Sequence, residues 1–336
     1  MKFGVFDHVD DSGLPLADHL ASRIEMVQAY EAAGFHCYHV AEHHGTPLGH
    51  APSPGMLFSA LSQRTSRILF GPLVFLLPLY HPLRLIEEVA MLDALSHGRF
   101  QLGVGRGVSP IEMGFYGVDM AEQRAKFDET LEILLKGLSS ERLSHKGEFY
   151  TFDDVPMTMR PVQQPHPPLW YGAGSPESIT WAAHNGVNIV SLALGERVAQ
   201  VSGLFRKEWA ASGGAEQDLP LVGISRHIVV ADSDAEARDL ARPAYARWRS
   251  SLAKLWEDRG GGFPLGDLYP ADWDAAQAMG HGIAGSPSTV RDFVVREAKD
   301  GGINYMVGWF AFGDLRTAQV SRSAHLFAKE VMPAFA

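Results

Sequence analysis

Eight short apolar runs recur along the chain, each followed by a longer amphipathic segment, and that alternation limits the possible folds more than any other feature. The runs are Lys2–Asp7, Cys37–Ala41, Arg67–Phe75, Arg99–Val104, Leu169–Gly172, Val187–Leu192, Leu221–Val230 and Ile303–Trp309. Helical patterns separate them, for example at about 16–34, 54–64, 82–95, 121–138, 176–185 and 196–212. Strands that alternate with helices pair in parallel, because each helix carries the chain back to the starting edge, and eight such units close into a ring. The expected fold is therefore a (β/α)8 TIM barrel of the α/β class, with 1–336 as one domain. Two interruptions are expected. Arg142–His145 and Glu148–Phe152 flank Lys146-Gly147 and read as a small hairpin, within an insertion at about 141–168 after the fourth unit. Glu257–Ala284 is glycine-rich and irregular, a lid-like insertion at about 257–284 before the eighth strand. Loops of that length in a compact domain are commonly functional.

Bulk properties remove several function classes. A formal net charge of −10 and the lack of any Lys/Arg run argue against a nucleic-acid partner. No apolar run is long enough to span a bilayer, and the opening MKFGVFDHVDD turns acidic at once, which fits neither a membrane anchor nor a signal peptide. Cys37 is the one cysteine, so an intrachain disulfide and a cysteine-based zinc site are both excluded. A cytoplasmic enzyme is the expected class.

In such barrels stability sits at the strand starts and chemistry at the strand ends. The expected strand ends gather Asp7-His8, Glu42-His43-His44, Leu77–His81, Gly103–Gly107, Gly172–Ser175, Ser191 and Trp309-Phe310. Polar, titratable and glycine residues thus converge on one end. In Gly103–Gly107 the glycines admit a ligand close to the backbone and Arg106 offers a planar fork suited to phosphate. In Gly172–Ser178 a strand ends, glycines turn the chain, and a helix begins with Ser175 as N-cap and Pro176 in its first turn, a place that favours an anion. Each motif alone is equally well explained as a turn or a capped helix. Adjacent residues on a strand point to opposite faces, so Glu42-His43-His44 does not make a metal site, and one histidine as proton carrier is the better reading.

Taken in order, MKFGVF, Val40–His44, Leu77–Pro82, Glu87–Asp93, Ser96–Gly107, Gly174–Ala183 and Val331-Met332-Pro333 resemble the bacterial luciferase-like, flavin-dependent monooxygenases over nearly the whole chain. The resemblance implies that His43 handles protons near the reactive flavin centre. It implies that Arg106 and Arg124 hold the flavin phosphate, with Gly174, Ser175 and Ser178 beside it. Leu73 and Val74 match a pair beside the isoalloxazine ring, often joined by a cis peptide. His8, His44, Tyr80, His81 and Trp309 are expected in the substrate pocket, and no metal is expected. Gly105 and Gly174 depart from luciferase, which has a cysteine and a glutamate there, so light emission and a long-chain aldehyde are not implied.

The activity implied by the resemblance is a two-component monooxygenase. Reduced FMN comes from a separate NAD(P)H:flavin reductase, reacts with O2 to give a C4a-peroxyflavin, and oxygenates a small organic substrate. No separate NAD(P)-binding unit is readable, which is why a reductase partner is invoked. Two alternatives stay open: an F420-dependent hydride-transfer oxidoreductase, and a non-catalytic flavin-binding partner subunit. A homodimer is expected, through the apolar stretches Met56–Leu61 and Leu83–Leu95.

Overall fold

A computed structural model describes residues 1–335. Eight parallel strands form the ring: β1 (Lys2–Asp7), β2 (Cys37–Val40), β3 in two halves (Leu69–Pro72 and Phe75–Leu76), β4 (Leu102–Gly105), β5 (Leu169–Gly172), β6 (Asn188–Ser191), β7 (Val222–Val230) and β8 (Tyr305–Trp309). β1 pairs with both β2 and β8, and the ladder then runs through β7, β6, β5 and β4. The first half of β3 pairs with β2 and the second with β4, and Leu73–Val74, a cis non-proline peptide, lies between them. This two-part third strand closes the ring. Helices cover the outside of the sheet, so the strands are buried on both faces and carry no polar alternation. All nine residues of β7 are buried.

The helices start and stop where local chemistry requires. Helix Pro287–Gly301 has Ser286 as N-cap, accepting from the Thr289 amide, and ends at Gly302 in the left-handed conformation at φ 62°. Inside the ring, Tyr305 from β8 reaches across to His39 Nε2 at 3.0 Å. It fits because Gly4 on the neighbouring strand has no side chain: a Cβ there would stand 1.8 Å from the Tyr305 hydroxyl. The expected α/β barrel is therefore present.

Three local expectations change. The hairpin strands are Arg142–Lys146 and Thr151–Pro156, longer than the sequence pattern suggested. A short helix, Pro110–Phe115, follows β4. Most consequentially, the stretch expected to be irregular up to Ala284 contains helix Trp273–Met279 and a buried strand, Gly282–Gly285, which pairs in parallel with β7. That strand reads Gly-Ile-Ala-Gly, a composition with almost no strand signal. The irregular segment is only 258–272. Among the described residues no helix is long and apolar enough to cross a membrane.

Just above β1 lies a buried charge cluster. Arg23 Nε stands 3.2 Å from Asp7 Oδ2, and an Arg23 Nη atom stands 3.9 Å from Asp10. The Val9 amide donates to Asp7 and the Gly313 amide to Asp10, both at 2.7 Å, joining the loops after β1 and β8. Burial raises the Asp10 carboxyl to about 8, against the opposing pull of Arg23. Burial lowers His8, His19, His36, His39, His227 and His281, with His36 at about 4 and His39 at about 3. These two sets act in opposite directions. Below the ordinary histidine value of 6.5, the unfolded chain binds protons that the folded histidines refuse, so stability falls as pH falls. Asp10 binds its extra proton when folded, so its contribution is lost as pH rises toward 8. Thermal unfolding monitored by circular dichroism should therefore show a maximum melting temperature near neutrality, and Asp10→Asn should flatten its alkaline side.

Candidate active site

Every second residue of a strand faces the ring interior, and the last inward positions of the strands make the site. They are Phe6 and His8 after β1, Ala41 and His43 after β2, Leu73 at the break in β3, Gly105 and Gly107 after β4, and Gly172 and Gly174 after β5. Val190, Leu192, Ser225 and Trp309 complete the ring. They line one cavity of about 520 Å³, a size ordinary for a small-molecule site. Trp248 and Leu252 from helix Asp234–Glu257 roof it, with Leu265, Leu268 and Tyr269 from the irregular segment. A cavity of about 610 Å³ at the opposite end, between Lys2, Glu31, Arg67 and Phe335, sits at the strand starts, away from this constellation.

His43 is positioned by a residue that the sequence pattern did not single out. Its Nδ1 lies 3.2 Å and 3.3 Å from the two carboxylate oxygens of Glu112, on the short helix after β4. Burial alone would raise the Glu112 carboxyl, but His43 and the His44 amide, which donates to it at 2.8 Å, hold it below the usual range. An ionised carboxylate only accepts, so the His43 proton sits on Nδ1 and Nε2 is left for the cavity. The signal for Glu112 in the sequence was Ser109-Pro110, a cap followed by a first-turn proline, which places a helix against the Gly103–Gly107 loop.

His44, Tyr80 and His81 were expected to face a substrate and do not line the cavity. His44 points outward, accepting from the Tyr116 hydroxyl at 2.8 Å and donating to Glu42 at 2.8 Å. Glu42 also accepts from the Leu76 amide and the Tyr80 hydroxyl, each at 3.0 Å, so Tyr80 braces the buried carboxylate. His81 is exposed and packs against Tyr150 and Phe152 of the hairpin. For His44 the physical reason is parity, since His43 is an inward position and its two neighbours must point the other way; Tyr80 and His81 lie past the tight turn Leu77–Leu79, beyond the end of the strand's alternation.

The residues expected around a phosphate separate into two groups. Arg106 stands at the cavity mouth, and its guanidinium has no hydrogen-bond or ion-pair partner among the described residues. Gln123 Nε2 donates to the carbonyls of Arg106 and Gly107 at 2.9 Å and 3.1 Å and fixes that loop. A Cβ at Gly172 or Gly174 would meet nothing within 4 Å, so both border open space. At Gly105 a Cβ would stand 2.2 Å from Val74 Cγ2, and no side chain fits while Val74 is there. Ser175 caps helix Pro176–His184 in a reciprocal capping box with Ser178, whose hydroxyl also accepts from the Gly174 and Ser175 amides at 3.3 Å and 3.1 Å. Ser175, Ser178 and Arg124 lie outside the cavity lining, and Arg124 is exposed and paired with Asp128 at 2.7 Å. Arg197, which the sequence pattern did not single out, donates to the Gly174 carbonyl at 3.0 Å. No group of three or more His, Cys, Asp or Glu side chains among the described residues is placed to hold a metal ion.

Segment 258–272 is tied down over the cavity. Arg249 stacks on Phe263 at 4.2 Å and donates to the Tyr269 carbonyl at 2.7 Å, and the Tyr245 hydroxyl donates to Pro270 at 3.1 Å. Arg249→Ala should therefore expose 258–272 to limited proteolysis while leaving the circular dichroism spectrum unchanged. Glu112→Ala strips the acceptor from a buried amide and a histidine, and chemical denaturation should register a loss of about 1–3 kcal/mol.

The arrangement is a largely apolar slot lined by His43, which is held by Glu112, and by Arg106, with the loop that leads into helix Pro176–His184 on its wall. Comparison with known proteins gives the chain's family. The model of the family described as luciferase-like monooxygenase matches residues 1–304. A protein of Sinorhizobium fredii, itself uncharacterized, is 38% identical over 94% of this chain and 92% of its own. The oxygenase component of the flavin-dependent trigonelline monooxygenase of Acinetobacter baylyi is 30% identical, over 71% of this chain and 67% of its own. Among solved structures, the oxygenating constituent of 3,6-diketocamphane monooxygenase from Pseudomonas putida, a type II Baeyer-Villiger enzyme in complex with FMN, superposes with a TM-score of 0.85 at 21% identity, covering 100% of this chain and 99% of that one.

Proposed function

The chain belongs to the luciferase-like monooxygenase family, and on that premise we propose that it is the oxygenase of a two-component system. It takes reduced FMN from a separate NAD(P)H:flavin reductase and uses O2 to oxygenate a small organic substrate. The observation that carries this reading is His43, held through Nδ1 by buried Glu112 with Nε2 open to an apolar cavity. Two relatives support the cofactor: one is named a flavin-dependent oxygenase component, the other was solved with FMN.

The residues present fit the cofactor. The open space at Gly172 and Gly174 leaves room for it, the walls at Leu73, Val74 and Val190 are apolar enough for a planar ring system, and Arg106 is the unpaired cation for its phosphate. Arg197 and the amides at the start of helix Pro176–His184 stand beside that end, where a helix dipole favours an anion. Bound in its reduced form, the flavin supplies the two electrons that split O2 between substrate and water. The chain itself contributes position, a dry cavity and a proton. Trp248, Leu252, Leu265 and Leu268 exclude water from above. His43 Nε2 exchanges the proton at the reacting oxygen, and Glu112 stabilises the imidazolium while His43 is charged.

Titration of the protein with FMN, photoreduced FMN and F420 separates the readings. Binding of reduced FMN, and the absorbance of a C4a-peroxyflavin when O2 is admitted, is the expected result; binding of F420 alone would replace monooxygenation with hydride transfer. His43→Ala should lower turnover about 10²–10⁴-fold, whereas unchanged turnover would point to a non-catalytic flavin-binding subunit. Arg106→Ala should weaken FMN about tenfold or more, the loss of one charge-assisted hydrogen bond, and leave riboflavin unaffected. Pairing of two copies is supported by Met56, Met91 and Leu95, which stand 77%, 53% and 39% exposed on helices Pro54–Ser62 and Pro82–Leu95.

A further inference from the structure

His8 is the inward residue just past β1, and its surroundings define a single chemical state. The indole Nε1 of Trp248 lies 3.4 Å from His8 Nδ1. An indole N–H only donates, so Nδ1 accepts and the one proton of the neutral ring sits on Nε2. Burial, helped by neighbouring His43 and His227, keeps the ring from taking a second proton in the neutral range. Among the described residues nothing accepts a hydrogen bond from His8 Nε2, and His8 lines the cavity. Its other neighbours are rings: Phe6 at 4.9 Å, Trp309 at 4.8 Å edge-on, and His43 stacked at 5.5 Å.

This corner of the cavity offers apolar walls and one neutral donor next to His43. A charged carboxylate does not suit it, because Arg106 stands with the glycine loops and among the described residues no other Lys or Arg lines the cavity. An ammonium group would set donor against donor. A hydroxyl would have to turn its own proton toward His43 Nε2 and occupy the atom left for proton exchange. An acceptor-only oxygen is satisfied completely. We propose that His8 is the residue that selects the substrate, through a hydrogen bond from Nε2 to a carbonyl oxygen, and that the substrate is a neutral, largely apolar carbonyl compound. This rests on reading the cavity as the oxygenase site, and it adds the substrate's chemical class and the group that recognises it.

The probes are cyclohexanone and methylenecyclohexane, which share a shape and differ in C=O against C=CH2. Their affinities are measured by ligand-observed NMR for the full chain without added flavin, so the outcome is independent of the flavin titrations. Water favours the two probes unequally, and that bias cancels when the affinity ratio is compared between proteins. The ketone-to-alkene ratio should fall about five- to tenfold from wild type to His8→Phe, the worth of one neutral hydrogen bond. His8→Gln, which keeps an N–H at the same reach, should restore most of it. Nitrogen-15 spectra of the wild type should show His8 protonated at Nε2, with that signal moving on addition of cyclohexanone and not of methylenecyclohexane. An unchanged ratio in His8→Phe, or a wild-type His8 protonated at Nδ1, would overturn the proposal; the second readout stands even where the substitution unfolds the chain.

Discussion

Closure of a parallel sheet into a ring forces alternate residues inward, and everything at the site follows from that parity. Phe6 and His8, Ala41 and His43, Gly105 and Gly107, and Gly172 and Gly174 are successive inward positions on their strands. The ring interior below them is already filled by residues such as Tyr305 and His39, so the strand ends are where space remains. The same parity sends Glu42 and His44 outward, into a network with Tyr80 and Tyr116 that holds the backbone on either side of His43. A one-residue slip of β2 would exchange the proton carrier for its own scaffold.

The site has a division of labour along its length. At one end Arg106, whose guanidinium has no partner among the described residues, stands with open backbone glycines and the loop that leads into a capped helix start. At the other, Trp248, Trp309 and the leucines of 258–272 offer surface without charge. Between them stand two histidines in different states. Glu112 accepts from His43 Nδ1 and leaves its Nε2 to the cavity, whereas the Trp248 indole donates to His8 Nδ1 and burial keeps that ring neutral. Two imidazoles 5.5 Å apart are thereby kept from competing for one role.

Much of this was legible in the sequence, and the reasons differ from element to element. The eight units were readable because parallel strands buried on both faces form unbroken apolar runs. Their ends were readable because glycines and histidines interrupt those runs. Strand Gly282–Gly285 was not, since Gly-Ile-Ala-Gly has one large apolar residue in four and carries no periodicity. Glu112 was hidden for another reason: its partner His43 lies 69 residues away, and no local pattern marks a contact made by folding. Ser175 was readable as a helix N-cap and is one, with Ser178 completing a capping box that the sequence reading did not name. The same spacing could not say that Arg197, from the following helix, would reach the Gly174 carbonyl.

We propose that the strand-end cavity is a flavin site with His43 at its reactive middle. A crystal structure of the protein with FMN bound tests it most directly. The ring system should lie against Leu73 and Val74, with the phosphate between Arg106 and the start of helix Pro176–His184 and His43 Nε2 facing the ring. Flavin bound elsewhere, above all in the cavity at the strand starts between Lys2 and Phe335, would contradict it.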